Sequence, residues 1–198
     1  MHANTKPNLR ALEAQAYDQY GYFDTSQARE HGVSSQLLAH HVGRGRFERI
    51  RRGLYKISGF PTDEYDQMRK LWMAVGRKTA VLSHQSALSV YELSDQIPDA
   101  VHLLVARRQR GLRRPEGSVI HTRPDGQPIT VVWRSGLPLT TVARTLVDVH
   151  GLLQPEQWSM TVHQAVSRGL VTIAQLHSEP AKGKRRIDAE LRGMQALR

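Results

Sequence analysis

The feature that most constrains the fold of this chain is a pair of helix starts around a glycine, between residues 23 and 43. Asp24 is followed three residues later by Gln27, which is the spacing of a capping box at a helix N-terminus. That helix is predicted to end at Gly32, because glycine readily takes the left-handed conformation of a C-cap. Ser34 is then the predicted N-cap of the next helix. Two short helices joined by a tight glycine turn predict a helix-turn-helix.

The second helix of this pair has one apolar and one polar side. Leu37, Leu38 and Val42 recur at helical spacing and are predicted to face the core. The opposite side carries small or hydrogen-bonding residues, which allow a helix to approach base edges in the major groove. The residues predicted to face the bases are Ser34, Ser35, Gln36 and His40.

An arginine-rich segment follows directly, and its apolar residues predict two short strands with a turn at Arg51-Arg52-Gly53. A basic hairpin in this place is typical of a wing, whose cations contact the phosphate backbone or the minor groove. The residues predicted to contact the DNA backbone are Arg44, Arg46, Arg49, Arg51, Arg52 and Lys56.

The charge of the chain agrees with a polyanionic partner. The formal net charge is +10 at pH 7, and cations that neutralise phosphates gain affinity by releasing counterions. Two further basic clusters lie at residues 107–114 and 182–186. For residues 107–114 the sequence leaves open a second DNA contact or a surface for an acidic protein partner. Residues 182–186 are predicted to be a mobile tail or a helix start.

The chain is predicted to have an α+β fold with two domains. Residues 1–60 form the winged helix-turn-helix, and residues 61–198 form a mixed domain of helices and strands. Helices are predicted at residues 65–75, 81–93, 140–149 and 156–168, and strands at residues 101–106, 119–122 and 129–133.

No catalytic or metal site is predicted. The chain has no cysteine, and its ten histidines show no HExxH motif and predict no other tight ligand cluster. Ser83 and His84 are adjacent residues of a predicted helix, where side chains diverge by about 100 degrees and do not form a dyad. Carboxylates spaced to hold magnesium for phosphodiester cleavage are missing as well. We therefore predict a protein that is not an enzyme, with no cofactor and no bound metal.

Several segments resemble a known family. Residues 29–34 and 49–55 are similar to the N-terminal winged helix of AbiEi-like antitoxins of type IV toxin-antitoxin systems. Residues 82–88, 101–103 and 136–148 resemble the C-terminal region of that family. The resemblance implies an antitoxin that represses its own operon through its N-terminal domain. It also implies that the C-terminal domain counteracts a nucleotidyltransferase-like toxin.

The expected partners are double-stranded DNA with operator repeats and a cognate toxin, in the cytoplasm and with no membrane segment. A transcriptional regulator unconnected with any toxin stays open, as does a protein whose main role is to contact the toxin. A nuclease is the enzymatic alternative. A monomer on tandem repeats and a dimer on a palindrome are both compatible with the sequence.

Overall fold

The computed structural model describes residues 6–94, 98–109, 111, 114–124, 126–181 and 183–196. The chain divides into two compact units, residues 1–77 and 78–198. The first unit therefore extends beyond residue 60, where the sequence predicts the boundary, and includes the helix predicted at residues 65–75.

In the described part of the first unit, a three-stranded antiparallel sheet in strand order β1-β3-β2 packs with four helices. Its two central helices and the hairpin after them have the order predicted for a winged helix-turn-helix. Its elements are α1 (Leu9–Tyr17), β1 (Tyr22–Asp24), α2 (Thr25–Glu30), α3 (Ser35–Gly43), β2 (Phe47–Arg51), β3 (Leu54–Ile57) and α4 (Asp66–Gly76).

The core of this unit is built around Phe23. Its ring meets Phe47 edge-on, with ring centroids 4.9 Å apart, and stacks with Tyr55 at 5.6 Å. Leu38 of α3 and Leu12 of α1 belong to the same buried cluster. The cluster joins both helices to the hairpin, so the position of α3 depends on aromatic packing beneath it.

The predicted helix ends are confirmed for α2 and α3. The Asp24 carboxylate accepts hydrogen bonds from the backbone of Ser26 and Gln27, and the Gln27 side chain accepts from the backbone of Asp24. Gly32 has a φ of +71°. Helix α1 ends at Tyr17, where the chain turns and the Gly21 amide donates to the Ala16 carbonyl of that helix.

Removing the α2 cap is expected to cost about 1 kcal/mol of stability at neutral pH. Burial opposes ionisation of Asp24, but hydrogen bonds from Ser26 and Gln27 outweigh it, and the pKa of this carboxyl is lowered. Because the pKa is lower in the folded state, the carboxylate stabilises the fold at pH values above its unfolded-state pKa. This stabilisation is lost as the pH falls through the folded-state pKa.

Urea unfolding of the native protein and of Asp24→Ala measures this effect. The difference in unfolding free energy is expected at neutral pH and should shrink in acid. A difference that does not change with pH would show that the charged carboxylate is not what stabilises the helix end.

Helix α4 is held in the first unit by hydrogen bonds and ion pairs of its polar side chains. The carboxylate of Asp66 accepts from the Nζ of Lys56 at 2.7 Å and from the hydroxyl of Tyr22 at 3.0 Å. The buried guanidinium of Arg69 lies 3.4 Å from the ring centroid of Tyr20 and pairs with Asp63. These contacts bury cations that are each matched by a carboxylate.

The second unit is a five-stranded mixed sheet with helices, in strand order β6-β5-β4-β8-β7. Strand β5 pairs with β6 in parallel and β4 with β8 in parallel, whereas the other pairs are antiparallel. Its elements are β4 (Ala80–Leu82), α5 (His84–Val90), β5 (Val101–Ala106), a short 3-10 helix (Arg107–Gln109), β6 (Ser118–Arg123), β7 (Val131–Arg134), β8 (Leu137–Thr140), α6 (Val142–Val149), α7 (Pro155–Ser167), α8 (Ile173–Ser178) and α9 (Lys184–Ala196).

Two short strands of the second unit are not predicted by the sequence. Residues 80–82 form β4, so the helix predicted over residues 81–93 is shorter and begins at His84. Residues 137–140 form β8, which the sequence does not indicate. Both are apolar runs of three or four residues, which periodicity alone does not assign to strand or helix.

Helix α6 is held by buried polar contacts. The Trp158 ring nitrogen donates to the Leu146 carbonyl at 2.8 Å. Arg144 pairs with Asp148 and also donates to the Pro180 carbonyl at 2.6 Å. The side chains of Arg144 and Asp148 are only 16% and 12% exposed, so this ion pair is largely buried. Among the described residues, no helix is both long and apolar enough to cross a membrane.

Candidate nucleic-acid interface

Helix α3 presents a polar face to solvent. Ser35, Gln36 and His40 are exposed, and Leu38 on the opposite side is fully buried. The side-chain oxygen of Ser34 accepts from the Leu37 amide at 3.2 Å, so Ser34 is the cap of the helix as well as an exposed residue at its start. The predicted division into a core face and an outward face is therefore confirmed.

The hairpin β2–β3 follows α3 and carries exposed arginines. Arg49 lies on β2 and Arg52 at the turn, and both are exposed, as is Arg44 at the end of α3. The carbonyl of Gly53 accepts from the backbone amide of Thr25 at 3.0 Å. This bond holds the hairpin turn against the start of α2, so the turn is anchored to the helix-turn-helix.

Two of the arginines predicted to contact the DNA backbone are already paired with groups of the protein. The guanidinium of Arg46 forms two hydrogen bonds with the carboxylate of Glu13, at 2.7 and 2.9 Å, and this pairing lowers the pKa of Glu13. Half-buried Arg51 donates to the carbonyl of Ala74 at 3.0 Å, which joins the hairpin to the last turn of α4. Both arginines stabilise the first unit before any ligand is present.

Lys56 requires a correction. Its side chain is 6% exposed, it pairs with Asp66, and it lies 4.8 Å from the ring centroid of Tyr22. The prediction that Lys56 contacts a phosphate rests on its place in a basic hairpin, but helix α4 supplies the carboxylate that holds it inside. Lys56 is a structural residue and lies outside the exposed interface.

The other basic clusters are only partly described. Arg107, Arg108 and Arg114 are exposed, while Arg110 and Arg113 lie outside the described residues. In the C-terminal cluster Lys182 also lies outside them, and residues 184–186 begin α9, so the helix-start alternative is confirmed. Lys184 pairs with Asp188 and Arg186 with Glu190.

A cluster of three histidines lies in the second unit, and the sequence does not predict it. His84, His102 and His121 each offer a ring nitrogen, and these three atoms lie within 4.8 Å of one another. Nε2 of His121 is 3.0 Å from Nδ1 of His102. The statement that no tight histidine cluster occurs is therefore wrong, because the three residues come together only through the pairing of distant elements.

The environment of these histidines favours neutral rings. Burial lowers the pKa of His84 to about 3 and that of His121 to about 4, and it also lowers the pKa of His102. His84 has a φ of +51° and its Nδ1 lies 2.9 Å from the Ser83 hydroxyl oxygen. The expectation that these adjacent side chains diverge is wrong, because Ser83 precedes α5 in an extended conformation and His84, its first residue, has a left-handed φ rather than that of a regular helix.

Comparison with known proteins finds a family that matches part of the chain and a solved structure that is similar in fold. Residues 11–57 match the family described as transcriptional regulator, AbiEi antitoxin. The chain is also similar to the crystal structure of the RV2827C protein from Mycobacterium tuberculosis, with a TM-score of 0.52 and 17% sequence identity. That similarity covers 100% of this chain and 84% of the other, and it concerns the fold. No curated protein matches the chain.

Proposed function

From the match of residues 11–57 to the AbiEi regulator family, we propose that this chain binds duplex DNA and represses its own operon. Helix α3 lies in the major groove in this proposal, and the hairpin β2–β3 follows the adjacent backbone. The observation that carries it is the exposed polar face of α3 directly before a hairpin with exposed arginines.

Base recognition is assigned to Ser35, Gln36 and His40, with Ser34 at the start of the same face. A glutamine amide both donates and accepts, which matches the adenine edge in the major groove. Ser35 and the exposed Ala39 are small, so the helix can approach the bases closely. Gln36 is therefore the residue we expect to contribute most to sequence preference.

Backbone contacts are assigned to Arg44, Arg49 and Arg52, whose side chains are exposed. Arg46 would have to exchange its pairing with Glu13 for a phosphate, and Arg51 its hydrogen bond to Ala74. We therefore expect both to contribute less to DNA affinity than Arg44, Arg49 and Arg52. Phosphate contacts supply affinity and orientation without reading sequence.

The toxin-related part of the proposal rests on the family resemblance. The second unit would counteract a nucleotidyltransferase-like toxin encoded beside this gene, in the cytoplasm, while the first unit occupies operator repeats. Co-expression of the two genes tests this part: the antitoxin should restore growth. Toxicity that is unchanged by co-expression would leave a transcriptional regulator without a toxin.

Gln36→Ala tests the assignment of base recognition. The binding partner is the upstream duplex, meaning the DNA immediately before the gene for this chain. The variant is expected to bind the upstream duplex about tenfold more weakly, because one good base contact is worth on the order of 1–3 kcal/mol. Its affinity for scrambled DNA should not change, as measured by fluorescence anisotropy.

The matched control is Gln164→Ala, which removes an exposed glutamine from α7 in the second unit. It should bind both duplexes like the native protein. Equal losses on upstream and scrambled DNA for Gln36→Ala would contradict a role in base recognition.

A further inference from the structure

We propose that His84, His102 and His121 bind a divalent transition metal ion of the Zn²⁺ class. This site lies in the second unit and does not depend on the proposed DNA binding. It joins three ring nitrogens that come from α5, β5 and β6.

The distances fit shared coordination after small side-chain movements. Zn²⁺ binds histidine nitrogen at about 2.0–2.1 Å, so two nitrogens at a tetrahedral angle lie about 3.3–3.4 Å apart. Nε2 of His121 and Nδ1 of His102 are 3.0 Å apart, and all three nitrogens lie within 4.8 Å. The ring of His84 stacks on that of His121, with centroids 3.5 Å apart, and must tilt about its hydrogen bond with Ser83 to complete the site.

The sheet register brings two of the ligands together. In the parallel pair β5–β6, His102 is opposite Val119 and Leu104 is opposite His121. Because alternate residues of a strand face the same side, His102 and His121 are diagonal neighbours on one face of the sheet. The positions of these ligands are therefore set by strand pairing.

The third ligand is held at the start of α5. His84 takes a left-handed backbone conformation, which is uncommon for a residue other than glycine. When the hydroxyl of Ser83 accepts a hydrogen bond from the Nδ1–H of His84, the lone pair of Nε2 is available to a metal. Hydrogen bonds of this kind orient histidine ligands in metal sites. The Ser86 hydroxyl accepts from the His102 amide at 2.8 Å and links α5 to β5.

The surroundings select the class of ion. Three neutral imidazoles suit Zn²⁺, Ni²⁺ or Cu²⁺, whereas Mg²⁺ and Ca²⁺ prefer oxygen ligands. The neighbouring carboxylate of Asp148 is already paired with Arg144, so three histidines supply the protein ligands and a further position is left for water. His102 also lines a cavity of about 300 Å³ with Gln85 and Val119, so this ligand can be reached from the cavity.

The competing explanation is a hydrogen bond between His102 and His121 with no metal. Titration of the chelator-treated, untagged full chain with Zn²⁺ and with Co²⁺ separates the two. We expect saturable binding of one ion per chain by calorimetry, and visible absorption bands of protein-bound Co²⁺. Absence of stoichiometric binding would overturn the proposal.

Ligand variants test which residues bind the ion. His102→Gln and His121→Gln should each weaken Zn²⁺ binding by at least about tenfold, since loss of even an outer-shell partner has an effect of this size. The matched control is His163→Gln, an exposed histidine of α7, and it should bind like the native chain. Native affinity in a folded His121→Gln variant would overturn the proposal.

A measurement on the native chain covers the case in which a variant does not fold. Zn²⁺ should shift the ring ¹⁵N signals of His84, His102 and His121 at one equivalent. Shifts confined to the exposed histidines would overturn the proposal.

Discussion

Replacing Phe23 with alanine should lower the unfolding free energy of the first unit by about 3–5 kcal/mol, the usual cost of removing a buried phenylalanine. Phe23 is 0% exposed and contacts the rings of Phe47 and Tyr55. No small shift of the hairpin fills the space of an aromatic ring between two others. The packing that positions α3 should therefore weaken as a whole.

Amide hydrogen exchange is the appropriate measurement, because it reports on residues 9–57 separately from the rest of the chain. Protection of the amides in α1, α2 and β3 should fall by about two to four orders of magnitude in the variant. Tyr17→Ala is the control: Tyr17 is 62% exposed and should change protection little. A loss below about 1 kcal/mol for Phe23→Ala would contradict the proposed core.

The double variant Arg49→Ala with Arg52→Ala should bind all duplex DNA more weakly, by about 30-fold at about 0.15 M salt. Each lost phosphate contact removes about 0.9 from the slope of log affinity against log salt, so the slope should fall by about 1.8. Both side chains are exposed, and neither strand nor turn requires them for packing. Upstream and scrambled duplexes should be affected alike.

The control for this variant removes the same two positive charges elsewhere. Arg185 and Arg192 are exposed on α9 of the second unit. Changing both to alanine keeps the net charge equal to that of the hairpin variant. If the two double variants lose the same affinity, the attraction arises from overall charge and the hairpin has no special role.

Local chemistry explains which parts of the fold could be predicted. The capping box of Asp24 and Gln27, the left-handed Gly32 and the cap at Ser34 involve residues at most a few positions apart. The apolar spacing of α3 likewise identifies its buried face. Such features depend little on the rest of the chain, so sequence reasoning identifies the helix-turn-helix.

Features that depend on distant partners could not be predicted. Strand β4 forms because its three residues pair with β5 and Leu82 also pairs in parallel with Leu139, and no short-range pattern indicates these pairings. Lys56 occupies a basic hairpin, yet Asp66 of the following helix holds it inside. In each case a contact formed by the fold overrides the local pattern.

The histidine cluster shows the same limit. His102 and His121 lie in segments that the sequence identifies as strands, but their approach depends on β5 and β6 being parallel and in one particular register. His84 is added by the sharp backbone turn at the start of α5. The sequence signal that could indicate this cluster is one histidine in each of two consecutive predicted strands and a third near a helix start.

Amide chemical-shift mapping of the full chain with the upstream duplex identifies the residues that contact DNA, and so it tests whether α3 and the hairpin form the interface. We expect the largest shifts on Ser35, Gln36, Arg49 and Arg52, and we expect scrambled DNA to shift the hairpin more than α3. Shifts concentrated in residues 78–198, with α3 unchanged, would contradict this interface.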